Sequence, residues 1–188
     1  IAAILFANKK VFQLNQYYTE HKENRAPWTR EAPDAGNYAK TIGIIGASHV
    51  GRIVIEHISN FDFKILLYDP YITPLDARQL GAIKVGLTEL LSQSDVVSLH
   101  APLLQNTKHM LGARELTLMQ DGSTLINTSR GAIIDQTALE IELAKGRIFA
   151  ILDTTDPDEL PASSPLLSMP NVFLTPHIAG SLGAETQR

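Results

Sequence analysis

A glycine-rich stretch lies about a quarter of the way along the chain and reads Gly46-Ala47-Ser48-His49-Val50-Gly51. Its spacing is that of a turn in which the first glycine bends the chain after a strand and the last lets the next helix pack closely. The N-terminus of that helix then binds the pyrophosphate of a dinucleotide. We therefore expect geometric roles for Gly46 and Gly51, and backbone N–H groups of His49 and Val50 directed at the phosphates.

The middle of this turn departs from the usual pattern, because Ser48 stands where a second glycine is normal. Phosphates usually come within contact distance of the backbone at this position, so a side chain occupies scarce space. The Ser48 hydroxyl can also donate a hydrogen bond to a phosphate oxygen. The sequence leaves both effects open.

An acidic residue follows at the expected distance, since Asp69 lies 23 positions after Gly46. A carboxylate at the end of the second strand accepts hydrogen bonds from the adenosine ribose and repels the extra phosphate of NADP. The next three residues, Pro70 to Ile72, contain no base. The pattern predicts NAD rather than NADP, and the alternative is that Asp69 is an ordinary turn residue before Pro70.

Alternating strands and helices must position these residues. Apolar runs predict a strand at 41–45, a helix at 49–60 and a strand at 64–68, which together form a βαβ unit. Further strands are expected at 82–85, 95–99, 123–126, 148–152 and 172–174, with helices at 87–92, 112–119 and 136–145, capped by Asp135 and Gly146. We predict an α/β fold, a Rossmann-type doubly wound parallel sheet with helices on both faces.

The expected organisation is a single dinucleotide-binding domain over residues 1–188. An N-terminal helical arm covers 1–24, with one helix at about 1–18, and a connecting loop with Trp28 as a packing anchor covers 25–40. The Rossmann core covers 41–188. The chain starts at Ile1, inside an apolar helical pattern, which favours a piece of a longer protein.

Composition narrows the class of protein. With 188 residues, 44% hydrophobic and 19% charged, the chain is typical of a soluble globular domain. A net charge of -4 argues against a nucleic-acid surface, and the absence of cysteine excludes disulfides and thiolate chemistry. We expect no membrane span, a cytoplasmic location and no metal site. The remaining histidines, His21, His57, His100 and His109, are interpreted as structural.

Three later segments carry more specific patterns: 97–102 reads VSLHAP, 126–131 reads INTSRG and 174–180 reads LTPHIAG. Their order and spacing resemble the NAD-binding domain of the D-isomer-specific 2-hydroxyacid dehydrogenases, and the resemblance covers essentially the whole chain. That family includes D-lactate, D-glycerate, D-3-phosphoglycerate and formate dehydrogenases. Its members also have a substrate-binding domain, which we expect to be absent from this chain.

The resemblance implies two catalytic roles. Arg130 would bind the carboxylate and carbonyl oxygens of the substrate, which suits a planar, permanently charged fork of donors. The alternative is a surface arginine in a loop. His177 would protonate the carbonyl oxygen while hydride arrives from the nicotinamide, and act as base in reverse, because imidazole titrates near neutral pH.

A third catalytic role is less complete. The family has a glutamate five residues after an aspartate, where it raises the pKa of the histidine. Asp153 matches the aspartate, but the later position is Asp158, whose side chain is shorter by about 1.5 Å. Three possibilities remain: Asp158 partners His177, Glu159 takes the role, or His177 has no partner.

Further contacts with the cofactor are implied by the same resemblance. Asp153 would accept a hydrogen bond from the nicotinamide carboxamide. Arg130 would also contact the cofactor. Five other residues would lie along the cofactor, near the nicotinamide ribose or beside Arg130: Ala101, Pro102, Thr107, Thr128 and Ser129.

The sequence therefore predicts an NAD-dependent oxidoreductase that interconverts a small D-2-hydroxy acid and a 2-keto acid. This chain is expected to bind NAD without turning over substrate, and to form a homodimer through the cofactor domain. The alternative is a dinucleotide-sensing regulatory protein, similar to the family's corepressors. A further possibility is a relative that has lost cofactor binding through Ser48.

Overall fold

The computed structural model describes residues 1–21 and 32–180, and seven of its strands form one parallel sheet. The order across the sheet is β3-β2-β1-β4-β5-β6-β7, so the chain begins in the middle and winds outward in both directions. This confirms the predicted doubly wound α/β fold. The strands are β1 Lys40–Ile45, β2 Phe63–Tyr68, β3 Ile83–Lys84, β4 Val96–Leu99, β5 Thr124–Asn127, β6 Phe149–Leu152 and β7 Val172–Leu174.

Helices connect the strands and precede the sheet. Two short 3-10 helices, Gly131–Ile133 and Pro165–Leu167, follow β5 and β6. The α-helices are α1 Ala2–Asn8, α2 Val11–Glu20, α3 His49–Ile58, α4 Pro74–Gln79, α5 Leu87–Gln93, α6 Ala113–Thr117 and α7 Gln136–Ala144.

The sheet is covered on both faces by apolar side chains. Successive strand residues point to opposite faces, and Ile44 and Ile45 of β1 accordingly belong to two different clusters. Ile45 packs with side chains from α5, α6 and α7, whereas Ile44 packs with side chains from α1, α3 and α4. Both isoleucines are at most 1% exposed. The central strands are thus buried from both sides, which leaves their ends as the accessible part.

The prediction of one N-terminal helix at 1–18 is wrong. Lys10 has a left-handed backbone (φ 51°), and the chain forms two helices on either side of it. The Lys10 ammonium forms an ion pair with Asp34 at 3.1 Å and donates to the Gly122 carbonyl at 3.3 Å. These partners are distant in sequence, so no local sequence pattern predicts that the helix is interrupted at Lys10.

Helix α4 was not predicted, although its start has a recognisable pattern. Thr73 and Asp76 form a reciprocal capping box, and Pro74 occupies the first turn. The predicted cap of α7 is confirmed, since the Asp135 carboxylate accepts from the Ala138 N–H at 3.0 Å. Trp28 and residues 25–31 of the predicted loop at 25–40 lie outside the described residues.

Within 1–21 and 32–180, no helix has the length and apolar character needed to cross a membrane.

Candidate functional site

The residues predicted to carry chemistry all lie beyond the carboxyl ends of strands. Because the strands are parallel, these ends share one edge of the sheet, where open α/β folds bind ligands. The turn between β1 and α3 lies centrally, at the point where the winding direction reverses between β1 and β4. In strand order across the sheet, the positions are Asp69 after β2, Gly46 after β1, Ala101 after β4, Arg130 after β5, Asp153 after β6 and His177 after β7.

Two glycines in the β1–α3 turn have the geometry that a phosphate-binding turn needs. Gly46 has φ +99°, and a Cβ at this residue would lie 2.6 Å from the backbone nitrogen of Ala101. A Cβ on Gly51 would lie 2.1 Å from the carbonyl oxygen of Gly46. A side chain at either position would collide with backbone, so the close approach of turn, helix and sheet requires glycine at both.

Ser48 is the N-cap of helix α3. Its backbone is extended, and its Oγ accepts a hydrogen bond from the Gly51 N–H at 3.2 Å. The side chain is therefore turned toward the helix, while the hydroxyl proton remains available to donate. Neither the His49 nor the Val50 N–H has an acceptor within the described part of the chain. Unpaired N–H groups at a helix start are the feature that binds anions.

Asp69 is tied to this turn by two backbone hydrogen bonds. Its Oδ2 accepts from the Ala47 N–H and its Oδ1 from the Tyr71 N–H, both at 2.8 Å. It lines a cleft of about 340 Å³, which is within the size range of small-molecule sites. The other predicted site residues along this cleft are Gly46, Ser48, Ala101, Pro102 and Thr107.

Thr107 shapes the loop that forms one wall of the cleft. Its hydroxyl donates to the Pro102 carbonyl at 2.7 Å and accepts from the Leu104 N–H at 2.7 Å. Thr107, Ala101 and Pro102 border the same cleft as Asp69. Their predicted position beside the nicotinamide ribose remains a prediction.

Arg52, to which the sequence analysis assigned no role, also lines this cleft. Its Nε donates to the Ala47 carbonyl at 2.9 Å, so the side chain folds back over the turn. Among the described residues that line the cleft, it is the single cation and Asp69 is the single anion. The only sequence feature that could have placed Arg52 at the cleft is its position directly after Gly51.

Arg130 is presented by a loop that a buried asparagine holds in shape. Asn127, which is fully buried, donates from Nδ2 to the Arg130 carbonyl at 3.0 Å. Its Oδ1 accepts from the Ser129 N–H at 3.0 Å and the Ser129 hydroxyl at 2.9 Å. The Arg130 side chain is exposed and uses one Nη donor on the Ser129 carbonyl at 2.7 Å. Four of its five N–H donors therefore remain for a ligand.

Asp153 is bound to the loop that carries His177. Its Oδ1 accepts from the Thr175 hydroxyl at 2.5 Å and the Ile178 N–H at 2.8 Å, and its Oδ2 accepts from the Ala179 N–H at 2.8 Å. Burial opposes ionisation, but these three hydrogen bonds outweigh it and lower the pKa of Asp153, with a smaller contribution from the charge of His177. This positioning function was not predicted. A carboxylate has about four acceptor sites, so Asp153 can still accept one more hydrogen bond. Its contact with the nicotinamide carboxamide stays a prediction.

His177 is exposed and has a left-handed backbone with φ 55°. Its N–H donates to the carbonyls of Asp153 and Thr175, each at 3.0 Å. In the described residues no hydrogen bond joins its ring to Asp158 or Glu159. The Asp158 side chain is exposed, and only its carbonyl is engaged, by the Thr155 hydroxyl at 3.2 Å. The structure thus does not bring together the predicted pair.

His100 lies beneath the turn, as a structural histidine would. Burial lowers its pKa to about 4, and its Nε2 lies 2.9 Å from the Ser98 hydroxyl. Among residues 1–21 and 32–180 no group of three or more potential ligands is arranged to hold a metal ion.

These features fit a dinucleotide. Two glycines make a cradle that any Cβ would fill, adjacent N–H groups lack acceptors among the described residues, and a carboxylate borders the adjoining cleft. Residues that would hold the pyrophosphate are Ser48, His49 and Val50, and Asp69 would hold the adenosine ribose.

Comparison with known proteins gives one consistent picture. The profile of the D-isomer specific 2-hydroxyacid dehydrogenase, NAD binding domain, matches residues 1–179. A glyoxylate reductase from Korarchaeum cryptofilum is 36% identical over 187 residues, which is 99% of this chain and 56% of the relative.

Solved structures agree with this. A D-lactate dehydrogenase with NAD+ from Lactobacillus jensenii has a TM-score of 0.78 and 29% identity, over 93% of this chain and 55% of that one. An acyclic imino acid reductase in complex with NADPH and D-Arg has a TM-score of 0.78 and 30% identity, over 97% of this chain and 56% of that one. The chain therefore spans about half the length of these relatives.

Proposed function

Because the chain belongs to the D-isomer-specific 2-hydroxyacid dehydrogenases and contains their NAD-binding domain, we propose that it is the cofactor half of an oxidoreductase. The reaction is the interconversion of a small D-2-hydroxy acid and a 2-keto acid. One observation carries this proposal: Arg130 and His177 flank the β6 loop at the same edge as the dinucleotide turn.

Arg130 orients the substrate in this proposal. Its free guanidinium donors match the carboxylate and carbonyl oxygens of a 2-keto acid, which can be met at two points. The buried Asn127 amide fixes the backbone from which this side chain extends. Arg130 therefore presents a planar fork from a rigid loop.

His177 moves the proton. When bound, NADH supplies a hydride to the carbonyl carbon of the keto acid. His177 donates a proton to the carbonyl oxygen in this direction and accepts it from the hydroxyl in the reverse direction. Asp153 holds the His177 loop through its contacts with Thr175, Ile178 and Ala179.

Asp158 is proposed as the carboxylate that partners the His177 ring, with Glu159 as the alternative. Both belong to the exposed loop after β6. Either pairing requires that loop to move toward His177, since within the described part of the chain neither carboxylate bonds to the ring.

The remaining assignments follow from the same proposal. We place the protein in the cytoplasm and expect a homodimer formed through the cofactor domain. Exposed apolar side chains on the two N-terminal helices support the dimer, because Phe6, Val11 and Tyr18 are 47%, 36% and 49% exposed. Sedimentation of the chain at micromolar concentration would measure the dimer directly.

A calorimetric titration of the 188-residue chain with NADH tests the cofactor site. We expect one site per chain, and Arg114→Gln, a change at an exposed arginine on α6 outside the cleft, should leave the affinity within about twofold. A folded chain that fails to bind NADH contradicts the proposal.

Keto-acid reduction tests the catalytic assignment. We expect no turnover from the chain alone, because the relatives are almost twice as long. In a longer protein that includes the substrate half, Arg130→Gln and His177→Gln should each lower kcat/KM by at least about 100-fold. The relatives named above are enzymes, so a purely sensing role is not favoured.

A further inference from the structure

We propose that Arg52 sets the choice between NAD(H) and NADP(H), and that it lets the adenosine site accept a 2′-phosphate beside Asp69. The inference rests on the proposed dinucleotide site. It adds a specificity-determining residue and a second cofactor class to that site.

The negative charge of Asp69 is partly offset by its surroundings. A free carboxylate at this position repels a 2′-phosphate. Here each carboxylate oxygen already accepts a backbone N–H, from Ala47 on one side and Tyr71 on the other. These hydrogen bonds offset part of the charge and fix its orientation, so repulsion of a phosphate is weaker than for an unpaired carboxylate.

Arg52 keeps most of its hydrogen-bond donors for a ligand. Only its Nε is engaged, on the Ala47 carbonyl at 2.9 Å. Its four Nη hydrogens have no acceptor among the described residues, and no carboxylate there lies within 4.0 Å of them. The side chain is anchored by one bond but keeps its fork available, which is the geometry that binds phosphate at two points.

Asp69 and Arg52 are held on opposite sides of one peptide residue, Ala47. Ala47 donates its N–H to Asp69 and accepts from Arg52 through its carbonyl, so both charged groups contact one residue. A ribose held by Asp69 therefore brings its 2′ position close to the Arg52 guanidinium.

Asp76 is a second carboxylate close enough to interact with the Arg52 charge. The Thr73 hydroxyl and N–H lower the pKa of Asp76, and the Arg52 charge adds to this. Asp76 is partly exposed and forms no ion pair with Arg52 in the described part of the chain, so a phosphate with nearly two negative charges competes effectively for the guanidinium. The described lining of the cleft carries one positive and one negative side chain, which balance each other.

The experiment compares NADH and NADPH binding to the 188-residue chain by calorimetry. We expect both to bind, with NADPH no more than about 10-fold weaker than NADH. Arg52→Gln should weaken NADPH by about 10-fold and NADH by less than about twofold, the size of one charge-assisted contact at an exposed site. Arg52→Lys keeps the charge but loses the two-point fork. Its NADPH affinity should lie between those of the wild type and Arg52→Gln.

Arg114→Gln is the matched control, since Arg114 is an exposed arginine on α6 away from the cleft. It should change neither affinity. Increasing sodium chloride should weaken NADPH binding more steeply than NADH binding, because the added contact is ionic.

Each result has a definite meaning. Binding of NADH without NADPH overturns the inference and leaves the proposed function intact. Equal weakening of both cofactors by Arg52→Gln also overturns it, because Arg52 would then contact a part that the two cofactors share. If neither cofactor binds the folded chain, the proposed function fails as well.

Discussion

Replacing Asp153 by asparagine removes one negative charge from the centre of the His177 loop. Asparagine keeps one side-chain oxygen, which can still accept from Thr175 and Ile178. Its NH2 group then faces the Ala179 N–H, which now lies 2.8 Å from the carboxylate, so two donors meet. Asp153 is only 4% exposed, and water has little room to separate them.

The size of the effect follows from the hydrogen bond to Ala179 that asparagine cannot form. One charge-assisted hydrogen bond contributes about 2 kcal/mol, and we expect Asp153→Asn to lower the free energy of unfolding by that amount. For a chain of this length, 1 kcal/mol corresponds to about 2–4 °C in Tm, so the expected decrease is about 4–8 °C. Asp158→Asn is the control in the same loop. Because its carboxylate is exposed and unbonded among the described residues, it should change stability by less than about 0.5 kcal/mol.

The pH dependence supplies a second readout. The folded state lowers the pKa of Asp153, so its stabilisation is fully present above the unfolded pKa of about 3.9. It is lost as the pH falls through the lower pKa of the folded state. The gap in Tm between wild type and Asp153→Asn should be constant from neutral pH to about pH 5 and then narrow. Thermal unfolding monitored by circular dichroism measures both the decrease in Tm at neutral pH and its dependence on pH. Equal Tm values for the two variants at neutral pH, or a gap unchanged at the lowest pH, would refute this reasoning.

Three further outcomes are expected. Denaturant titration should show that Ser48→Ala costs about 1 kcal/mol and Ser48→Gly only a few tenths, because the hydroxyl caps α3. In the longer protein, Asp158→Glu should hold or raise turnover. A loss of turnover on Glu159→Gln would instead assign the role to Glu159. Since burial lowers the pKa of His100 to about 4, its imidazole should stay neutral by NMR down to about pH 5; stability from the neutral form then declines as the pH falls from about 6.5 toward 4. Titration near 6.5 would contradict it.

The main features of the fold were predictable because they depend on local patterns. Apolar runs with regular spacing specify buried parallel strands, and the predicted strands match the observed ones within about two residues. The strand-helix alternation then fixes which edge carries the turn at Gly46 and the loops of Arg130 and His177.

Contacts between distant parts of the chain were not predictable. Lys10 breaks the first helix because Asp34 and Gly122 lie beside it. Arg52 enters the cleft through a bond to Ala47 that spacing alone does not reveal. Asp153 was assigned to the cofactor, yet its oxygens hold a loop more than 20 residues later. Side chains with several possible partners choose among them only after the fold has formed.

At His177 the residue type that would best stabilise the left-handed backbone differs from the one that the proposed reaction needs. At φ 55° glycine carries no Cβ penalty, whereas any residue with a side chain, histidine included, is less favourable there. The proposed reaction nevertheless needs an imidazole there. Directed evolution for heat resistance alone would therefore favour His177→Gly and yield robust but inactive proteins. Screens that combine heating with turnover would retain the histidine and move the gain in stability to other loops.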